Sequence, residues 1–90
     1  MIRLAAINGD YAVEPHAQGR SFARQITQPE YDYILRVGDR EPKKDEFKEQ
    51  FNSWNYAVRG KTVDGRDIRV CVYFEGKMVV VTLIAVGEEG

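Results

Sequence analysis

The chain has one cysteine and one histidine in 90 residues. A single cysteine excludes an internal disulfide framework and a cysteine-rich zinc site. A single histidine argues against a multi-histidine metal centre. No apolar run approaches the roughly 18 residues of a membrane-spanning helix. Leu4–Ile7 is too short for the apolar centre of a secretion signal. An excess of one charge is missing as well. The 13 basic and 14 acidic side chains leave a net charge of −1. They are spread evenly, seven basic and seven acidic over residues 1–45 and six and seven over 46–90. Nothing resembles a basic tail, so bulk charge argues against wrapping nucleic acid and leaves only a local basic patch. Phosphate-binding loops, dinucleotide glycine fingerprints, nucleophile elbows and zinc motifs are all absent. Acidic residues stand singly, which gives no support to a two-metal carboxylate site. The expectation is one reduced, cytoplasmic domain over residues 1–90, with no cofactor, no metal and no membrane partner.

What is present is enough apolar material to fold, 43% hydrophobic and 11% aromatic, in an order that changes along the chain. Residues 1–13 read as weak strand or loop, with Asn8-Gly9 as a turn and a short strand at Tyr11–Val13. Pro15 suits the first position of a helix running to about Gln25, with Phe22, Ala23 and Ile26 as its core contacts. Thr27 and Glu30 form a capping box, and Ile26 and Tyr31 its hydrophobic staple. Tyr31, Ile34 and Leu35 give that second helix one apolar face, and Gly38 ends it. The charged stretch Asp39–Asp45 reads as an exposed loop. Phe47 and Phe51 fit helix or strand, and the charges between them favour an edge strand.

The last third alternates clearly. Strands are expected at Trp54–Thr62, Arg66–Phe74 and Lys77–Val86, joined at Val63-Asp64-Gly65 and Glu75-Gly76. A two-residue first turn would bury Arg59 and Lys61. A three-residue turn with left-handed Gly65 opposes Thr62 to Arg66 and separates the faces. Trp54, Tyr56 and Val58 then join Ile68, Val70, Val72 and Phe74 against the helices. Asn55, Ala57, Arg59, Lys61, Asp67, Arg69, Cys71 and Tyr73 take the other face. A two-residue second turn adds Val79, Val81, Leu83 and Ala85 to the core face, and Met78, Val80, Thr82 and Ile84 to the open one. The fold class is α+β, with two N-terminal helices on a three- to four-stranded antiparallel meander.

Two constellations carry possible chemistry. Arg59, Lys61, Arg69 and Tyr73 share the open face of adjacent strands. Three cations there suit a phosphodiester and the charge that builds on it during transfer, with lysine or tyrosine moving a proton. Asp67 stands among them to pair one cation, the ordinary condition of a solvated sheet face. His16, Arg20 and Arg24 fall at a spacing of four along one helical stripe, a base followed by two phosphate ligands, or a helix-start histidine with two arginines lying over the sheet. Cys71 has no partner cysteine and reads as a half-buried filler.

The stretch HAQGRSFARQI at residues 16–26 resembles the H-A-x-x-R-x-x-x-R-x-I opening of domain of unknown function 4258. WNYAVRGKTVDGRDIRVCVYF followed by VVVTLI is similar to that family's Y-x-V-x-G-x-x-x-D-G-x-x-I-x-V-x-V ending with its later I-x-T-V. The resemblance covers about residues 11–86, leaving 87–90 as a frayed tail, and rests on His16, Arg20, Arg24, Gly60, Asp64, Gly65 and Thr82. The family is similar to RelE-like and BrnT-like toxins, which cut RNA and pack helices on an antiparallel sheet. The resemblance implies a RelE-like toxin or toxin-derived protein that binds RNA and cleaves it without metal. On that reading Lys61, Arg69, His16 and Tyr73 are catalytic, and Arg59, Arg20 and Arg24 bind the nucleic acid. The rival is a non-catalytic protein-interaction module using a Met78/Val80/Ile84 strip. The expected partners are RNA, a cognate antitoxin or a second copy through the sheet face.

Overall fold

A computed structural model describes residues 2–87, except for the side chain of Phe51. The order is α1 (Ile2–Ile7), β1 (Tyr11–Val13), α2 (Pro15–Ala23), α3 (Gln28–Val37), β2 (Asp39–Arg40), β3 (Glu46–Lys48), β4 (Ser53–Lys61), β5 (Asp67–Glu75) and β6 (Lys77–Ala85). Short 3-10 turns flank β3 at Pro42–Lys44 and Glu49–Phe51. The fold is α+β, with N-terminal helices on a mostly antiparallel six-stranded sheet, consistent with a RelE-like arrangement. Strands run β1-β6-β5-β4-β2, and β3 also pairs with β4. Among the described residues, only β1 is parallel to its neighbour. The meander of three strands therefore gains three short ones, β1 beyond β6 and β2 and β3 end to end along β4. The edge strand expected around Phe47 is β3. The expected tail lies outside the described residues from 88 on.

The capping box forms. The Thr27 amide donates to Glu30 Oε1 at 2.8 Å and the Glu30 amide donates to Thr27 Oγ1 at 3.3 Å. It starts α3 so that Tyr31, Ile34 and Leu35 face the sheet, all buried. Gly38 ends the helix with φ −70°, an extended conformation rather than the left-handed one. Its reason is space. A Cβ there would lie 2.6 Å from the Ile34 carbonyl oxygen and 2.9 Å from that of Arg59.

The turn after β4 forms as expected, with Gly65 at φ +88° and the Thr62 amide donating to the Arg66 carbonyl at 2.9 Å. Arg59 lies opposite Arg69, Val58 opposite Val70 and Tyr56 opposite Val72. Polar and apolar side chains separate by face, and Ile68, Val70 and Val72 are fully buried beneath the helices.

Four expectations need correction. The first concerns β6. Met78 and Val80 lie opposite Phe74 and Val72 on the core face, while Val79 lies opposite Tyr73 on the open one. A bulge at Val81 then shifts the pairing by one, which restores Leu83 and Ala85 to the core. The Met78/Val80/Ile84 strip therefore does not exist as a surface, because Met78 and Val80 are buried. The second concerns Phe22, which is 89% exposed, with Ala23 also exposed. α2 turns Ala17 inward, and Phe22 lies about 140° round the helix from it. The third is α1, a helix where strand or loop was expected, with Ala6 fully buried in the shared core. The fourth is Trp54, which has core-face parity yet stays 48% exposed against Phe47 at the end of the sheet.

Candidate nucleic-acid interface

The segment Asp39–Asp45 is not a free loop. β2 pairs with Val58 and Arg59, and the Glu41 amide donates to the Ala57 carbonyl at 2.9 Å. Asp45 Oδ1 accepts from the Ala57 amide at 2.9 Å, and its other oxygen pairs with Arg40. These bonds fasten the segment along β4, and from there Glu41 reaches onto the open face.

On that face Arg59 and Arg69 stand opposite each other. Both guanidinium groups engage Glu41. Arg69 donates from Nε to Oε1 at 2.6 Å and from Nη2 to Oε2 at 3.3 Å, while Arg59 Nη1 donates to Oε2 at 3.2 Å. Arg59 also forks onto Asp67, Nε to Oδ1 at 3.0 Å and Nη2 to Oδ2 at 2.7 Å. Paired planar forks of this kind hold an oxyanion in a fixed orientation. The Arg69 hydrogen bond holds the Glu41 carboxyl below its usual range, and the Arg59 fork does the same for Asp67. Reciprocally, Asp67 and then Glu41 raise the pKa of Arg59, and Glu41 raises that of Arg69. Lys61 stands exposed opposite Asp67 at the same end of the strands. Cys71 lies further along, and burial pushes its thiol up.

Four expected site residues lie elsewhere. Tyr73 has the right face, but four residues along β5 place it about 13 Å from Arg69. Its hydroxyl donates to Glu75 Oε2 at 3.0 Å, which raises its pKa. His16 and Arg20 belong to α2 and Arg24 caps its C-terminal end, and α2 packs on β6, two strands from β4. His16 is exposed, and its amide donates to the Glu14 carboxylate at 3.1 Å, an N-cap contact. Arg24 Nη1 donates to the Leu83 carbonyl at 2.6 Å, and Arg66 binds the Arg24 and Gln25 carbonyls at 2.9 and 2.8 Å. These arginines close the end of α2 onto the sheet. The structure thus brings together Arg59, Lys61 and Arg69, and leaves the helix group apart from them.

Sequence reasoning missed Glu41, which lies 28 residues from Arg69 in a stretch of mixed charges. No local spacing signals its reach. A second feature outside the expected set is an apolar cleft of about 550 Å³ between α1, α3 and β4–β5. Leu35, Tyr56, Val58 and Phe74 line it, and Arg40 sits over the Tyr56 ring with 5.0 Å to the centroid. Compared with protein-family models, with curated proteins and with solved structures, the chain matches none.

Proposed function

We propose that the protein is a small RelE-like, toxin-derived RNA-binding protein that holds phosphates of single-stranded RNA at Arg59, Lys61 and Arg69. The observation that carries this reading is the convergence of two guanidinium groups on one carboxylate. A phosphodiester offers the same charge and the same pair of oxygen acceptors. The rigid strand pair fixes both arginines without further ordering. The resemblance of residues 16–26 and 54–84 to a family similar to RNA-cutting toxins points to the same ligand. Metal-independent cleavage is the further part of this reading. Within it Lys61 is the proton-moving or charge-stabilising group, since it alone of the expected proton carriers shares the arginines' end of the face. Binding of labelled single-stranded RNA tests the proposal. Replacing Arg59, Lys61 and Arg69 together by alanine should remove binding, and equal affinity in that variant would reject the site.

A second reading, a non-catalytic protein-interaction module of the same fold, is favoured by the cleft and by the exposed Phe47–Trp54 pair beside β4. It takes the place of the first if RNA does not bind.

A further inference from the structure

We infer that Glu41 is a built-in occupant of an oxyanion site, and that a phosphodiester enters the Arg59–Arg69 fork by exchanging with it. This rests on the RNA reading for its ligand, and on the geometry of the fork for the exchange.

Three observations support the exchange. First, the carboxylate is bound as a ligand would be, by the Arg69 fork and a single Arg59 Nη1 bond from the neighbouring strand, with both oxygens engaged. Second, Glu41 is held by its own backbone and not by its side chain alone. Its amide keeps the bond to Ala57, so the side chain can swing away while the chain stays in place. Third, the site is open to water on the Arg59 side, while the Arg69 side chain behind it is 14% exposed. The Arg59 side chain is 39% exposed and that of Glu41 22%. An incoming anion therefore reaches the fork without unfolding anything.

Charge explains why the occupant matters. Arg59, Arg69 and Lys61 carry three positive charges, and Asp67 and Glu41 two negative ones. Counted over these five side chains alone, one positive charge is in excess with Glu41 in place. With Glu41 displaced the fork regains a full vacancy for one anion, and a phosphodiester restores the balance. The exchange trades one monoanion for another, so no uncompensated charge is buried. The occupied state keeps the arginines aligned but lowers affinity for any single phosphate. Stronger binding then requires a ligand that engages Lys61 as well, which favours a strand of nucleic acid over a lone phosphate.

The test compares wild type with Glu41→Gln and, to guard against a folding defect of the amide, Glu41→Ala. Each has its melting temperature checked first. The probes are a fluorescein-labelled single-stranded RNA and inorganic phosphate, the latter followed on the side-chain Nε–H signals of Arg59 and Arg69. Removing the carboxylate should tighten RNA binding roughly three- to tenfold, the scale of the ion pairs released. The gain should vanish when Arg69→Gln is added. If wild type binds RNA and neither variant binds it more tightly, the occupant idea is overturned and the RNA reading stands. If RNA binds neither form, while phosphate shifts the arginine signals at lower concentration in the variants than in wild type, the occupant idea holds and the RNA reading falls. If neither probe has any effect, both are overturned.

Discussion

Replacing Gly38 with alanine tests how the helix layer places β2, and with it Glu41, against β4. The glycine has an extended backbone, so conformational strain is not the issue. An added Cβ would meet the Ile34 carbonyl oxygen at 2.6 Å, the Arg59 carbonyl oxygen at 2.9 Å and Val58 Cγ1 at 2.9 Å. Two of the three are backbone atoms, on the last turn of α3 and near the end of β4. Neither can rotate aside, so helix and strand must separate. The same movement would stretch the 2.7 Å bond from the Gly38 amide to Ile34. Overpacking of this kind costs about 1–3 kcal/mol, and backbone contact puts it in the upper half of that range. For a domain of this size the melting temperature should fall by roughly 10–20 °C. Two further glycines give the contrast. Gly19 lies inside α2 with nothing within 4 Å of an added Cβ, so alanine there should stabilise by about 0.5–1 kcal/mol. Gly65 also has space, but its positive φ makes alanine cost about 1 kcal/mol. Thermal denaturation followed by circular dichroism reads all three. A Gly38→Ala protein that melts with wild type would refute the close approach of α3 to β4.

The pairing of Glu75 with Lys77 around Gly76, followed by the bulge at Val81, predicts that neighbours in β6 respond in opposite ways: Met78→Ala should destabilise by about 2–5 kcal/mol, whereas Val79→Thr on the open face should cost well under that. Urea titration of both variants decides it, and the reverse order would restore an unbulged strand. Stability should also fall in acid. Glu41 and Asp67 have folded pKa values depressed by Arg69 and Arg59. Their contribution is therefore full above the unfolded carboxylate pKa of roughly 4 and is lost as pH falls through the lower folded values. Melting curves from pH 7 down to pH 3 should drop less steeply for Glu41→Gln than for wild type, and parallel curves would contradict the pairing.

Where sequence and structure agree, the cause is local chemistry. Thr27 and Glu30 cap one helix with groups three residues apart, and Gly65 alone sets the turn that fixes the faces of β4 and β5. Alternation from Tyr56 to Val58 and from Ile68 to Val72 then has one consistent phase. β6 lacks such a phase, because Val79, Val80 and Val81 are interchangeable in polarity. A one-residue bulge there leaves no mark in the pattern. α1 is six residues long, too short for a period to emerge, and takes its stability from packing on α3. The candidate site divides the same way. Arg59, Lys61 and Arg69 follow from strand register, and so were legible once the turn was. Glu41 follows from β2 folding back along β4, a contact between distant segments. His16 and Arg20 do share a helix that Arg24 caps, yet the strand order sets that helix over β6.

The salt dependence of RNA binding tests the central claim most directly. Two phosphates, one in the Arg59–Arg69 fork and one at Lys61, should give a slope of log affinity against log salt of about −1.4, at about −0.7 for each phosphate of a single strand. Arg69→Gln should flatten it by about one such increment. A titration of single-stranded RNA across a tenfold range of salt measures both slopes. A wild-type slope of about −1.4 that falls in the variant is the predicted result. A flat wild-type slope, or one unchanged by Arg69→Gln, would contradict the assignment of this face to RNA.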